Sequence, residues 1–307
     1  MVKIIESFAG NTQEVDRLRV EIKEALSHGP VKVKLWQPGI MYEKNNDWHT
    51  VIDFVNEWQG APVTFYSNLV PLRDVSCEFH YTNDMFISGH DIYETNRECQ
   101  QIISKLDVIE GHRKYHWEFM FGQYRAIKDE LYEKFKSHMI SNYCFHNYFR
   151  KDTTQGTWSN GYIPKKHTAE TIDGNENAFT NPIRHSDLID TEVYNQSFYS
   201  VAIETVIHND FAMFSEKEAK PIMACRPFVI VGAQHQLRAF RSLGFKTFSP
   251  VIDESYDDIE DLQERFSAVM DSMYRLSQQD PIEVYRELDL ILKHNKKHFL
   301  ENDWTKI

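Results

Sequence analysis

Glu204, Ser215, Glu216, Lys217, Glu218, Lys220 and Gly232 fall in one stretch, ETVIHNDFAMFSEKEAKPIMACRPFVIVG. It pairs acids with lysines around a helix start, then runs into a short apolar strand ended by glycine. Ser215 and Glu218 form an S-x-x-E capping box, which places the N-cap at Ser215. Glu216 and Lys217 then fall in the first helical turn. Backbone N–H groups there lack intrahelical partners and the helix dipole is positive, so the position suits phosphate. Lys217 and Lys220 add positive charge beside such an anion. Glu216 is too short to join them and suits hydroxyl groups. Taken alone, the box also fits an ordinary capped helix, because such boxes are common.

The neighbouring segments must position these side chains. SFYSVAIET, residues 197 to 205, reads as a buried strand ending at Glu204, and PFVIVG, residues 227 to 232, as a second ending at Gly232. QLRAFRSLGF predicts a short helix, KTF a third strand, and DESYDDIEDLQERFSAVM an acidic turn into a long helix. Strands alternating with helices predict a parallel sheet covered by helices. Ligands of such sheets sit at the carboxyl ends of the strands. Glu204, Glu216, Lys217 and Gly232 all belong to that edge.

The run SEK-x-x-KPI-x-x-x-x-PFVIVG, preceded by Glu204, resembles the donor-binding half of GT-B glycosyltransferases. It is most similar to the fucosyltransferase-like pattern of a Glu, a spacer, T-E-K and a P-(V/I)-x-x-G strand. The tail RSLGFKTFSPVIDESYDDIED is similar to glycosyltransferase-like proteins of tailed phages. The resemblance covers residues 194 to 275, under a third of the chain. It implies a nucleotide-sugar donor, a UDP- or GDP-sugar. The ribose contact falls on Glu216, the phosphate contact on Lys217, and the acid near the sugar on Glu204. Ser215 replaces the usual Thr and keeps the cap.

The N-terminal half alternates in the same way. VKIIESF, VKVKLW and APVTFYSN read as strands; TQEVDRLRVEIKEALSHG and WHTVIDFVNEW read as helices, the first ended by Gly29. Residues 84 to 91, DMFISGHD, predict a fourth strand, followed by a helix through Leu106. Gly10, Asn11 and Thr12 follow the first strand, where loops line a cleft. No G-x-G-x-x-G fingerprint and no P-loop occurs. The expected fold class is α/β, with two Rossmann-like domains facing a central cleft, GT-B-like. The acceptor-side domain covers 1–110 and the nucleotide-sugar-binding domain 111–280. A final helix at 281–307 is expected to return to the first domain. HRKYHWEFMFGQYRAIKDELYEKFK reads as helix-rich, and Ile140 to His146 as the first strand of the second domain. Residues 151 to 190 are polar and turn-rich and read as loops over the cleft.

A chain of 307 residues with 41% hydrophobic content can bury two substantial cores. The formal net charge of −12 disfavours broad DNA affinity, which needs a positive surface. The segment holding His112, Arg113, Lys114, Arg125, Lys128, Lys134 and Lys136 is the candidate for a local basic groove. Arg113 is also a candidate for the donor phosphates. Cys77, Cys99, Cys144 and Cys225 are widely spaced without a C-x-x-C pair, so neither a zinc site nor a disulfide framework is expected. His112 and His116 are four apart but lack a third ligand, and no D-x-D triplet occurs; no metal is implied. The sequence has no apolar run of membrane length and no signal peptide. The expected location is cytoplasmic, the host cytoplasm for a phage-encoded protein.

Glycosyl transfer breaks the bond between sugar and diphosphate. The leaving phosphates would be stabilised by Lys217, Lys220, Arg113 and the helix N-terminus. A base must take the proton from the attacking hydroxyl. Asp91 is the first candidate, with His90 and Asp74 as alternatives; Glu204 is the second catalytic carboxylate. The acceptor is a modified base in phage DNA such as hydroxymethylcytosine, a glycan, or a small molecule. A non-catalytic nucleotide-binding protein of the same fold and a sugar epimerase are the other readings. Lys217→Ala is expected to abolish donor binding and leave the fold intact.

Overall fold

The computed structural model describes residues 3–7, 12–35, 48–82, 113–123, 126–149, 157–158, 191–204, 207, 211–302 and 304. The expected strand at 84–91 and the helix after it lie outside the described residues, as do His90, Asp91, Cys99 and His112.

The first sheet is built from β1 (Lys3–Ser7), β2 (Val31–Leu35), β3 (Val63–Ser67) and β5 (Glu78–Tyr81), in that spatial order and parallel throughout. Two helices intervene, α1 (Thr12–Leu26) and α2 (Trp48–Asn56). In α1, Val15, Leu18, Ile22 and Ala25 recur every three or four residues and are all buried. Gly29, at φ 138°, turns the chain into β2 in a conformation that favours glycine. Val31, Val33 and Leu35 of β2 point into the core while Lys32 and Lys34 alternate outward, the period of a strand.

The second sheet has the order β11-β9-β6-β7-β8. Its strands are β6 (Tyr115–Gln123), β7 (Cys144–Phe149), β8 (Thr157–Trp158), β9 (Ser197–Ile203) and β11 (Phe228–Val231). Pairing is parallel from β11 to β7, and β8 is antiparallel. Its helices are α3 (Ala126–Ser137), α4 (Thr191–Gln196), α5 (Glu216–Met223), α6 (Gln236–Ser242), α7 (Leu262–Leu276) and α8 (Pro281–Glu301). Every residue of β9 and β11 is buried, as for parallel strands covered on both faces. The architecture is therefore α/β with two mainly parallel sheets, each with its own core.

A short ribbon joins the two. β4 (Leu69–Pro71), just after β3, pairs antiparallel with β10 (Phe211–Met213), which leads into α5. Phe211 and Met213 bury their side chains in the first core although both chain neighbours, β9 and α5, belong to the second. The carboxyl end of β3 thus adjoins the segment that starts α5.

Four expectations need correction. The helix-rich reading of residues 112 to 136 fails in its first half, where β6 occupies the centre of the second sheet; only α3 is helical. Ile140 to Tyr143 belong to a 3-10 turn, Met139–Tyr143, capped by His138, and β7 begins only at Cys144. KTF forms no strand. Asn295 of α8 donates to the carbonyl of Lys246 and accepts from its N–H, both at 2.8 Å, replacing a ladder partner. Finally, α8 does not return to the first sheet: Val284, Leu288, Leu292 and Phe299 lie in the second core. Residue 110, the expected boundary, lies outside the described residues.

Candidate functional site

Glu204 is the first residue beyond β9 and Gly232 the first beyond β11. The two strand ends touch, because the Glu204 N–H donates to the Val231 carbonyl at 2.8 Å. The site grows from this edge. Ser215 caps α5 from an extended backbone, and the capping box read from the sequence is complete. The Ser215 N–H donates to Glu218 Oε2 at 2.8 Å, and the Lys217 N–H reaches Ser215 Oγ at 3.4 Å.

The cap has a second function. Ser215 Oγ donates to Glu204 Oε1 at 2.6 Å. Lys217 Nζ donates to Glu204 Oε2 at 3.3 Å and to Ser215 Oγ at 3.0 Å. Glu216 Oε1 stands 3.5 Å from the same ammonium. Glu204, Ser215 and Glu218 are almost completely closed to water, while Glu216 and Lys217 are half-buried. Burial opposes the charge of Lys217, but the carboxylates of Glu204 and then Glu216 outweigh it and raise its pKa, so the ammonium stays protonated. Glu216 Oε2 and Glu218 Oε1 are buried without a hydrogen-bond partner. Pro221 has no N–H to offer the Lys217 carbonyl four residues earlier.

Gly232 is required by a close approach. A Cβ there would lie 2.8 Å from Gln236 Cδ. Gln236, almost fully buried, donates to the Met213 carbonyl at 2.5 Å and accepts from the Ala233 N–H at 3.3 Å. Arg265 donates to the Gly232 carbonyl through Nε at 3.2 Å and Nη2 at 3.1 Å. Gln236 and Arg265 therefore lock the β11 turn to β10 and α7. Sequence reasoning missed both, because neither lies in a local motif.

The structure brings Glu204, Glu216, Lys217 and Gly232 to one edge. Lys220 follows Glu216 by one turn on the same side of α5. Arg113 is not brought there. It precedes β6 at the amino end of the sheet, where it donates to the carbonyls of Tyr194 at 2.5 Å and Ser197 at 3.0 Å. Ser197 opens β9 and Glu204 follows its end, so the whole strand separates them. His112 and Arg125 of the expected basic groove lie outside the described residues, and three of its lysines have partners within the chain. Lys128 is buried on the Phe121 carbonyl, Lys134 reaches the Gln263 carbonyl, and Lys136 pairs with Glu133. His116 lies in a strand, so the helical spacing with His112 does not arise. Asp74 is exposed in the loop after β4. No group of three metal-ligating side chains occurs among the described residues. No described helix is long and apolar enough to cross a membrane.

The expectation for Lys217→Ala changes as well. Both oxygens of Glu204 are engaged inside the protein, and Lys217 is its neutralising cation. Removing that cation strands a buried carboxylate, so a loss of stability is expected beside the loss of donor binding.

No protein-family model matches the chain, and no curated protein matches it. Among solved structures it is similar to an alpha1,3-fucosyltransferase at 10% identity and a TM-score of 0.38, over 99% of this chain and 92% of that one. It is similar to an alpha1,3-fucosyltransferase with GDP-fucose at 7% identity and a TM-score of 0.35, over 100% and 93%. A third, an alpha1,3-fucosyltransferase with GDP, gives 10% identity and 0.33, over 99% and 92%.

Proposed function

We propose that the chain is a glycosyltransferase that binds a nucleotide-sugar donor, a UDP- or GDP-sugar, at the edge formed by Glu204, α5 and Gly232. The observation that carries the reading is the acid–lysine cluster at the start of α5, on the carboxyl ends of β9 and β11. Such an edge is where open parallel sheets bind ligands. In this reading the half-buried Glu216 carboxylate accepts a hydrogen bond from a ribose hydroxyl. An ammonium has three donors; Lys217 commits two to Glu204 and Ser215 and offers the third to the diphosphate. Lys220 and the α5 N-terminus add to the field that stabilises the leaving phosphates. Glu204 positions Lys217 rather than touching the reacting atoms, because both its oxygens are engaged. The proton acceptor is assigned to Asp91.

The acceptor is proposed as a hydroxyl group, on a hydroxymethylated DNA base in a phage setting or on a glycan or small molecule. The net charge of −12 favours the glycan or small-molecule acceptor over DNA. Incubation with GDP- and UDP-sugars plus each acceptor, followed by release of nucleoside diphosphate, tests the reading. Transfer by the wild type that is lost in Glu216→Ala supports it. Tight nucleotide binding without turnover on any acceptor would favour a binding protein of the same fold, a reading that the internal Glu204–Lys217 pair also suits. No binding and no transfer would end both.

A further inference from the structure

Glu218 enters the sequence reading only as a capping partner, yet its carboxyl has an unusual setting. Glu218 and Glu204 are 0% and 1% exposed. Ser215 stands between them, its Oγ donating to Glu204 and its N–H to Glu218 Oε2. Glu218 Oε1 receives no hydrogen bond from any N–H or O–H group. Bridged by this one serine, the two carboxyls stand beside each other in a setting closed to water. The cation beside them, Lys217, reaches Glu204. An ionised oxygen buried without a donor is costly. A protonated carboxyl is itself a donor, and two adjoining carboxyls that share one proton exchange repulsion for a hydrogen bond.

We propose that Glu218 is held as the carboxylic acid, donates its proton to Glu204, and so acts as a positioning residue that keeps Glu204 and Lys217 matched charge for charge. The inference deepens the glycosyltransferase reading and rests on it only for its consequence. An anionic donor then meets Lys217 beside one fully buried negative charge rather than two.

Burial first, then the neighbouring Glu204, pushes Glu218 well above the ordinary carboxylate range. Lys217 and the Ser215 N–H oppose this. Glu216, on the same helix, acts on Lys217. Among the other elements packed on α5, β11 presents only apolar residues. Asp289, Lys293 and Lys296 of α8 act on Cys225, beyond the far end of α5. The folded-state value lies above the unfolded one. The contribution to stability is therefore full below the unfolded value, about 4.3, and is lost as pH rises toward the folded value.

Glu218→Gln keeps an oxygen for the Ser215 N–H and supplies an N–H toward Glu204, but cannot ionise. Melting temperatures of the two proteins are compared from acid to alkaline pH. The expected result is a variant that gains on the wild type as pH rises above the ordinary carboxylate range. Parallel curves would overturn the proposal. Should the variant not fold, the Glu218 carboxyl resonance of 13C-labelled wild-type protein reads the same proton. It is expected to stay in its protonated form at neutral pH, and titration near 4.3 would overturn the proposal. Both readouts are made without ligand. Failure to bind nucleotide sugars would therefore sink the glycosyltransferase reading and leave the shared proton standing; an ordinary titration would do the reverse.

Discussion

At the scale of single residues, the site is organised around one ammonium and the carboxyls that surround it. Lys217→Ala leaves Glu204 buried without its cation, and the expected loss of stability is about 3–5 kcal/mol, measured by denaturant unfolding. Replacing both partners, as Glu204→Gln with Lys217→Met, removes the stranded charge and is expected to recover most of that loss. A single variant as stable as the wild type would show that Lys217 does not neutralise Glu204. The residue types were readable in the sequence, because the capping box is local and the acids and lysines sit within one turn. Their pairing was not. Glu204 and Lys217 are thirteen positions apart and meet because the start of α5 packs against the end of β9. Lys217 therefore read as facing an external phosphate when its first partner is internal.

At the scale of elements, Gly232 and Gln236 decide how the β11 turn holds β10. In Gly232→Ala the new Cβ displaces the Gln236 side chain, and its bonds to Met213 and Ala233 are lost. The expected cost is about 1–3 kcal/mol. In a Gln236→Ala background the same substitution should cost almost nothing further, which a double-mutant cycle reads directly. Additive losses would contradict the displacement. β9, α5 and β11 were legible because continuous apolar runs flank a capping box. β6 was not read as a strand, although Tyr115, Trp117, Phe119 and Phe121 alternate with His116, Glu118 and Met120 at the strand period and all four enter the core. The helix-forming residues after it, now α3, drew the whole stretch toward a helical reading. KTF failed because its backbone partner is a side chain on α8, which no local pattern announces.

At the scale of the whole molecule, two cores are joined by the β4–β10 ribbon, and Met213 belongs to the first core while its chain neighbours belong to the second. Met213→Ala is expected to cost about 2–5 kcal/mol. Amide hydrogen exchange should quicken in β2 and β3 more than in β6 and β9. Equal acceleration throughout would mean that the ribbon does not partition the cores in this way. The alternating order of elements made the two-sheet α/β architecture readable, but the ribbon is only three residues wide and carries no signature in either segment. The account as a whole stands on donor binding at the α5 edge. Its most direct test is the melting temperature of the wild type and Glu216→Ala against GDP, UDP and their sugars. A ligand that binds only the native state at 100 times its Kd adds about 2.7 kcal/mol of stability. The account predicts a selective rise with one nucleotide class in the wild type and a reduced rise in the variant. No rise with any of these ligands would contradict it.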